Sequence, residues 1–423
     1  MSSSSRRRHA SSPEAGPLDD DDLLCEILLR LPPQPSSLPR ASAVCKRWRR
    51  LVSDPGFFRR FRLRHRRKPP LLGFFDRFLG LTFLPTLDAP NRIPPGRFSV
   101  QHDGDDRSMS LGCRHGLFLI LLSKRHHALV WDPITGEKQR IAVPAAFDLE
   151  KTAGLVNGAV LRPAGEDQHF QVVLAAADQK HQAIACVYSS KTCLWGNLIS
   201  TPLPYDEANG IRVPTMVHTD DAVMAGDSLY WMLVGNSCGI LEFDLVKQSL
   251  AVMRLPVHIG GDDCFKMMRA EGGGLGFLFV PASDHTAQLW KRKTDCDGSA
   301  PWMLGRTIEL DKVLSLKPEE KGPLFILGFA EENSVVFLWT MIGLFMINLE
   351  TLEFKNLFKT MFFSYYHPFE SVYAAGRSAA FCSDICIVDF SEHVLVVQMM
   401  GLSFCSVHKM IVRLDMLFDL LVH

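Results

Sequence analysis

From about Phe98 onward, short runs of β-branched and aromatic residues recur between Gly, Pro, Asp and Asn, always in the same order. A Gly-led apolar run comes first, then a polar turn, a second apolar run ending in an acidic or amide residue, and a third run. The clearest units are 116–144, 223–256 and 335–358, whose turns carry Asp132, Asp244 and Asn348. Asp132 and Asp244 lie 112 positions apart, and Asp244 and Asn348 lie 104 apart. Each interval is about twice a repeat of roughly 50 residues, so further units must lie between them. Fainter copies do stand at 172–204 and 275–310. A sixth unit would draw on 371–390, closed by a strand near 98–111. Small sheets repeated about an axis protect their strand edges by radial packing, which predicts a propeller.

The chain before this region follows a different period. Asp19 to Asp22 precede residues 23–31, where apolar side chains recur at steps of three and four. That spacing predicts a helix with carboxylates at its positive end, Arg30 near its negative end, and Pro32-Pro33 stopping it. A second helix is predicted over 39–52, with Ala41, Val44, Cys45, Trp48, Leu51 and Val52 on its apolar face and Asp54-Pro55 ending it. A third segment, 57–64, carries Phe57, Phe58, Phe61 and Leu63 among arginines. Three short helices cannot bury all their apolar surface, so an exposed remainder should meet a partner.

The 423 residues are 47% hydrophobic and 22% charged, a globular balance that points to neither a disordered chain nor a membrane bundle. The formal net charge of zero is a cancellation. Residues 40–68 carry 12 basic side chains against Asp54, and 69–423 carry 30 basic against 39 acidic. The basic block could attract nucleic acid or form a solvated helix face. Residues 1–17 are Ser-rich with three arginines and no apolar stretch, and the longest apolar run, 335–347, is too short to span a bilayer. We therefore expect a soluble protein with no secretion signal. Eleven cysteines without a recurring spacing, including the lone pair Cys382 and Cys386, suggest free thiols in a reducing compartment.

Patterns that would carry chemistry are weak. Gly272-Gly273-Gly274-Leu-Gly276 lacks the Lys-Ser/Thr of a phosphate loop and reads as a turn. No HExxH or paired CxxC is present in the sequence. Cys113-Arg114-His115 and His126-His127 read as structural or solvated. Glu319-Glu320 and Glu331-Glu332 read as solvated loops, and Trp131, Trp231, Trp290 and Trp339 as blade core. Catalysis, cofactors and metals are accordingly not expected.

The amino-terminal pattern is specific when its elements are taken together. Leu18-Asp-Asp-Asp-Asp-Leu-Leu-Cys-Glu-Ile-Leu-Leu-Arg-Leu-Pro32, then Leu38, then Val44-Cys-Lys-Arg-Trp-Arg-Arg-Leu51 resembles an F-box. The departure is Asp19, where many F-boxes continue Leu-Pro. The segments 54–57 and 69–75 look like the continuation found in plant F-box proteins, and the repeats look like the β-propeller that follows the F-box in many of them. The resemblance implies a mainly β protein: a short all-α F-box module followed by a kelch-like β-propeller. Its parts would be a disordered 1–16, an F-box over 17–66, a linker over 67–97, a propeller over 98–393, and a segment 394–423 of unassigned structure, within which 408–422 has helical character.

The resemblance further implies docking on the Skp-type adaptor of a cullin-RING ubiquitin ligase. The residues involved would be Leu18, Leu23, Ile27, Leu28, Leu31, Pro32, Leu38, Val44, Cys45, Trp48 and Leu51, some of which could instead form the module's core. The chain would be a non-catalytic substrate-recognition subunit that binds the adaptor, and through it cullin, and presents an unidentified protein target for ubiquitination and degradation. It would reside in the cytoplasm, the nucleus or both. The alternative is a nuclear, nucleic-acid-associated protein using the block 40–68.

Overall fold

The computed structural model describes residues 20–373 except 78–80, 96, 101–107, 164–168, 205–213, 236–237, 261–262, 283–284, 294–300 and 360–363. Four short helices open it. Helix α1 (Asp21–Leu29) starts where Asp20 accepts the N–H groups of Asp22 and Leu23, so the acidic run supplies both cap and first turn. The expected helix over 39–52 is two helices, α2 (Ser37–Ser42) and α3 (Lys46–Ser53), parted where Cys45 is fully extended. No Gly or Pro marks that break, and the apolar spacing runs through it, so the sequence pattern reads as continuous. Helix α4 (Pro55–His65) follows at once, capped by Asp54, which accepts the Phe57 N–H, with Pro55 in its first turn.

These helices enclose a small core of Leu24, Leu28, Leu29, Leu38, Ala41, Phe57 and Phe61, against which Leu31, Trp48 and Leu51 pack partly exposed. One member comes from the far end of the described chain: Val372 is buried in the same cluster.

Six antiparallel sheets follow, all built from short strands. Blades 1, 4 and 5 have four strands each, beginning with Ser108–Arg114, Cys264–Arg269 and Phe325–Ala330. Blades 2 and 3 have five, beginning with Thr152–Leu161 and with Met216–Val217, whose neighbour Val223–Ala225 pairs on the same central strand. Blade 6 has three, in the order Thr82–Pro85, Leu71–Asp76, Tyr366–Glu370. The innermost strands touch in a closed cycle through blades 1 to 6 and back to blade 1. Six apolar clusters fill the six interfaces between neighbouring blades.

The repeat units identified in the sequence correspond to blades 1 to 5, and the turn residues of blades 1, 3 and 5 share one device. Asp132 accepts the N–H groups of Ile134 and Thr135, Asp244 those of Val246 and Lys247, and Asn348 those of Glu350 and Thr351. Each is an Asx turn between the last two strands of its sheet.

The sixth blade differs from expectation. The stretch 67–97, read as a linker, holds two of its strands. Leu71–Asp76 pairs with Tyr366–Glu370 across nearly 300 residues, Phe75 opposite His367 and Asp76 opposite Tyr366. Pairing of such sequence separation leaves no local mark. The unit expected over 371–390 lies outside the described residues beyond Tyr373, as do 1–19, the segment 394–423 and the pair Cys382 and Cys386.

The closing interface between blades 6 and 1 is the most aromatic. Phe75, fully buried, has Phe83, Phe118, Phe369 and Trp131 at ring-centroid distances of 5.3, 5.0, 5.4 and 5.8 Å. Gly73 lies two residues before it because a Cβ there would collide with the Leu84 carbonyl and the Phe83 ring.

Candidate functional site: the helical face and the propeller axis

Helix α1 divides its apolar residues between two faces. Leu24 and Leu28 point inward, while Leu23 and Ile27, one turn apart, are 51% and 42% exposed. Val44, at the break between α2 and α3, is 61% exposed, and Pro32 and Cys45 are exposed as well. Arg47 and Arg50 reach Asp21 at 2.7 and 3.5 Å, which holds the start of α3 beside the start of α1.

Burial thus sorts the residues expected to meet an adaptor. Leu23, Ile27, Pro32, Val44 and Cys45 present their side chains to solvent. Leu28 and Leu38 are core, because the short helices have few other residues to pack between them. Leu31, Trp48 and Leu51 straddle the boundary, and Leu18 lies outside the described residues.

The basic block is partly consumed in holding the helices to the propeller. Arg62 reaches Asp132 of the first Asx turn at 3.5 Å, and Arg66 donates to the carbonyls of Arg162 and Pro163. His65 is 3.1 Å from the Leu29 carbonyl, and burial lowers its pKa. Asn333 donates to the Pro69 carbonyl at 3.0 Å, fixing the short connection between α4 and blade 6. By contrast Arg40, Lys46, Arg59, Arg60, Arg64, Arg67 and Lys68 are exposed.

Beneath α4 lies a cavity of about 70 Å³ at the mouth of the propeller axis, lined by Arg62, Arg66, Arg114, Asp221, Glu331 and Glu370 among others. This is room for about two waters. Its charges are matched. Arg114 grips Glu331 with both terminal nitrogens, the Nη2 contact being 2.8 Å, and Arg269 reaches Glu332 at 2.9 Å. Glu331 and Glu332, expected as a solvated loop, are therefore ion-paired at the axis. Glu370 accepts the N–H groups of Glu332 and Asn333 at 3.0 and 2.9 Å and the Asn333 amide at 2.7 Å. Burial pushes its carboxyl up to about 7, although those hydrogen bonds oppose the shift.

Cys113 and His115 belong to the same wall. Burial, aided by the Asp221 charge, holds the Cys113 thiol well above its usual range. Burial beside Arg114 lowers His115 to about 3, so the ring is neutral and its Nδ1 accepts the Arg162 N–H at 3.0 Å.

Deeper along the axis, His367 bridges Asp221 and Ser110, with Nδ1 to Oδ1 at 2.7 Å and Nε2 to Oγ at 2.8 Å. A carboxylate oxygen accepts, so Nδ1–H donates to it, and a neutral ring then accepts the serine hydroxyl at Nε2. This is the connectivity of a hydrolytic triad, and sequence reasoning missed it because the three residues are scattered over 257 positions. Ser110 and His367 are 7% and 2% exposed, and the axial cavity is lined by neither. The relay acts as a clamp joining the inner strands of blades 1 and 6 to blade 3. Next to it, Lys266 reaches Asp220 at 3.0 Å; burial raises the Asp220 pKa, but Lys266 and His218 outweigh it and hold the carboxyl well below its usual range.

The remaining sequence candidates are structural. Trp131, Trp231 and Trp339 are blade core, and Trp290 is half-buried. Gly272 and Gly273 take positive φ in the first hairpin of blade 4, as a turn requires. Among the described residues no group of three His, Cys, Asp or Glu side chains could hold a metal ion, and no helix is long and apolar enough to cross a membrane.

A helical module with an exposed apolar face, fixed to a six-bladed propeller, defines a class of protein that the comparisons identify. An F-box-like family model matches residues 21–64, and the model described as "F-box protein AT5G49610-like, beta-propeller" matches 110–374. The chain belongs to that F-box β-propeller family. Two Arabidopsis thaliana relatives are F-box protein At3g16210, 24% identical over 249 residues, and F-box protein At5g03970, 22% identical over 256. The matches cover 57% and 56% of this chain and 61% and 58% of those proteins, so the chain spans about three fifths of the curated relatives it matches. Among solved structures, the WD40 domain of SCAP from fission yeast shares 13% identity at a TM-score of 0.32, covering 62% of this chain and 56% of that one. The 110–374 match leaves out Leu71–Asp76 and Thr82–Pro85, which complete blade 6.

Proposed function

We propose that this protein is a non-catalytic substrate receptor of a Skp-cullin-F-box ubiquitin ligase. The helical module docks on the Skp-type adaptor, and the propeller holds a target protein for ubiquitination and degradation in the cytoplasm or nucleus. The observation that carries the reading is the exposed row Leu23, Ile27 and Val44 within the F-box-like segment, on a module whose other large apolar residues are wholly or partly buried. Apolar side chains left exposed together on one small module favour a contact site as its use. The receptor's contribution is positional: holding a target beside the ubiquitin-loaded enzyme raises its effective concentration, and the bond-making steps belong to other subunits.

Adaptor capture by purified protein tests this, with Leu23→Asp plus Ile27→Asp as the disabling variant. Both positions are exposed, so the variant should keep its circular dichroism while losing capture, because two carboxylates would be desolvated without partners in the contact. Leu24→Asp serves as the contrasting variant that unfolds the module. Capture that survives the double substitution, or failure of the folded wild type to bind, would refute the reading. The nucleic-acid alternative is less favoured, because Arg47, Arg50, Arg62 and Arg66 are engaged within the protein.

A further inference from the structure

The outer strand of blade 5, Phe354–Phe358, has no strand beyond it among the described residues. The Asn348 N–H donates to the Glu353 carbonyl, and antiparallel alternation then directs the backbone groups of Phe354 and Asn356 away from the neighbouring strand, towards the free edge. Phe354 and Phe358 are 46% and 38% exposed, with Asn356 exposed between them. Lys355 and Leu357 turn the other way, towards blade 6, where Leu357 packs on the shared apolar cluster and Lys355 reaches Asp88 at 2.7 Å. Glu353 and Lys359 are exposed at the two ends.

Other blades guard the corresponding edge. In blade 1 it carries exposed Lys138 and Arg140, in blade 6 it ends at Pro85, and in blade 3 Ser249–Met253 packs against Ile199–Pro202 of blade 2. Charge, proline and cover are ordinary means of keeping edges from pairing, and Phe354, Asn356 and Phe358 show none of them. The sequence Glu353-Phe-Lys-Asn356-Leu-Phe-Lys359 is instead complementary to its own reverse. Laid antiparallel on a second copy with Asn356 opposite Asn356, it puts Glu353 opposite Lys359 and Phe354 opposite Phe358, each twice. A two-fold interface demands this of a single strand. Opposite charges and aromatic pairs at directly opposed positions both stabilise a sheet, and each Asn356 amide offers a donor and an acceptor to its mate. Among the described residues Lys359 has no ion pair and the Asn356 side chain no hydrogen bond.

We propose that blade 5 pairs edge to edge with blade 5 of a second copy of this chain, joining two propellers through an antiparallel strand pair centred on Asn356. Pairing of this kind does not depend on the receptor reading. A bulge at Leu357 adds local twist and keeps the paired stretch short, so the contact belongs to the small class of interfaces and the dilute chain is a monomer.

Sedimentation of the full chain across about 1 μM to 1 mM should show a monomer–dimer equilibrium. Glu353→Lys alone, or Lys359→Glu alone, should weaken dimerisation about tenfold, because each puts two like-charged pairs into the contact. Mixing the two variants, or combining both changes in one chain, should restore the wild-type association, since opposite charges face each other again. Asn356→Pro removes an outward N–H without costing blade 5 a hydrogen bond, and it should weaken dimerisation too. Circular dichroism of each variant should match the wild type. A wild type that stays monomeric at every concentration overturns the proposal. So does association that the single reversals leave unchanged, or single variants that fail to recover it when mixed. Protection of the Phe354 and Asn356 amides from hydrogen exchange in the dilute monomer would overturn it as well, because another segment would then cover the edge.

Discussion

Replacing Phe75 by Ala should open the propeller at one place. The ring is fully buried where the first and last described strands meet, and four aromatic neighbours lie within 5.8 Å of it, centroid to centroid. Burying a Phe ring removes about 150–250 Å² from water, worth about 4–6 kcal/mol at 25 cal/mol per Å², of which Ala keeps a minor part. Phe→Ala in a core costs about 3–5 kcal/mol. The upper end, about 5 kcal/mol, is expected here, because ring pairs add about 0.5–1.5 kcal/mol each, less than additively. A chain of this size need not unfold in one step, so local free energies from amide hydrogen exchange are the suitable readout. Protection should fall by about 5 kcal/mol in 71–76 and 366–370, and far less in blade 3. Phe358→Ala, on an exposed strand edge, should change protection by no more than about 0.5 kcal/mol. A loss below about 1 kcal/mol for Phe75→Ala, or one spread evenly over all blades, would refute the claim that closure depends on this ring.

Three other outcomes are expected. Between about pH 4.5 and 6.5 two buried groups oppose each other: Glu370, raised to about 7, takes up a proton preferentially in the folded state, which favours folding as pH falls. His115, lowered to about 3, takes one up preferentially in the unfolded state and does the reverse. Glu370→Gln keeps an oxygen for the Asn333 and Glu332 donors but removes the first effect, so denaturant titrations should show stability falling on acidification through that window by about 1.4 kcal/mol per pH unit, against a flatter wild type. Gly73→Ala should impair folding, read by circular dichroism and melting temperature, because the added methyl meets the Leu84 backbone. Exchanging Arg59, Arg60, Arg64 and Arg67 for Ser should leave adaptor capture unchanged, since all four are exposed, whereas including Arg62 or Arg66 should loosen the helices from the propeller and speed proteolysis after His65.

The outer parts of blades 1, 3 and 5 were the most visible because their turns depend on local chemistry: an Asp or Asn must accept two nearby N–H groups, and that leaves a mark at fixed positions. The innermost strands were less visible. One of their faces lines the axis with Ser110, Asn157, Lys266 and His367, so the apolar alternation that announces a strand is interrupted by polar residues whose partners lie in other blades. Blade 6 was hidden for a related reason, because its two halves are far apart in the chain. In the F-box the helical period was legible, but which of its apolar residues face inward was not: Leu28 was grouped with Leu23 and Ile27, and only the packing of the four helices separates them.

Blade 6 also sets the order in which this protein can mature during synthesis. Leu71–Asp76 and Thr82–Pro85 leave the ribosome long before Tyr366–Glu370 exists, and at about 5–20 residues per second the interval is roughly a quarter of a minute to a minute. Throughout it Phe74, Phe75 and Phe83 have no blade to join. The helical module waits as well, because Val372 is part of its core. A ribosome that stalls before this point therefore releases a chain with neither a closed ring nor a finished F-box core. Such a product should be an early client for chaperones and proteolysis.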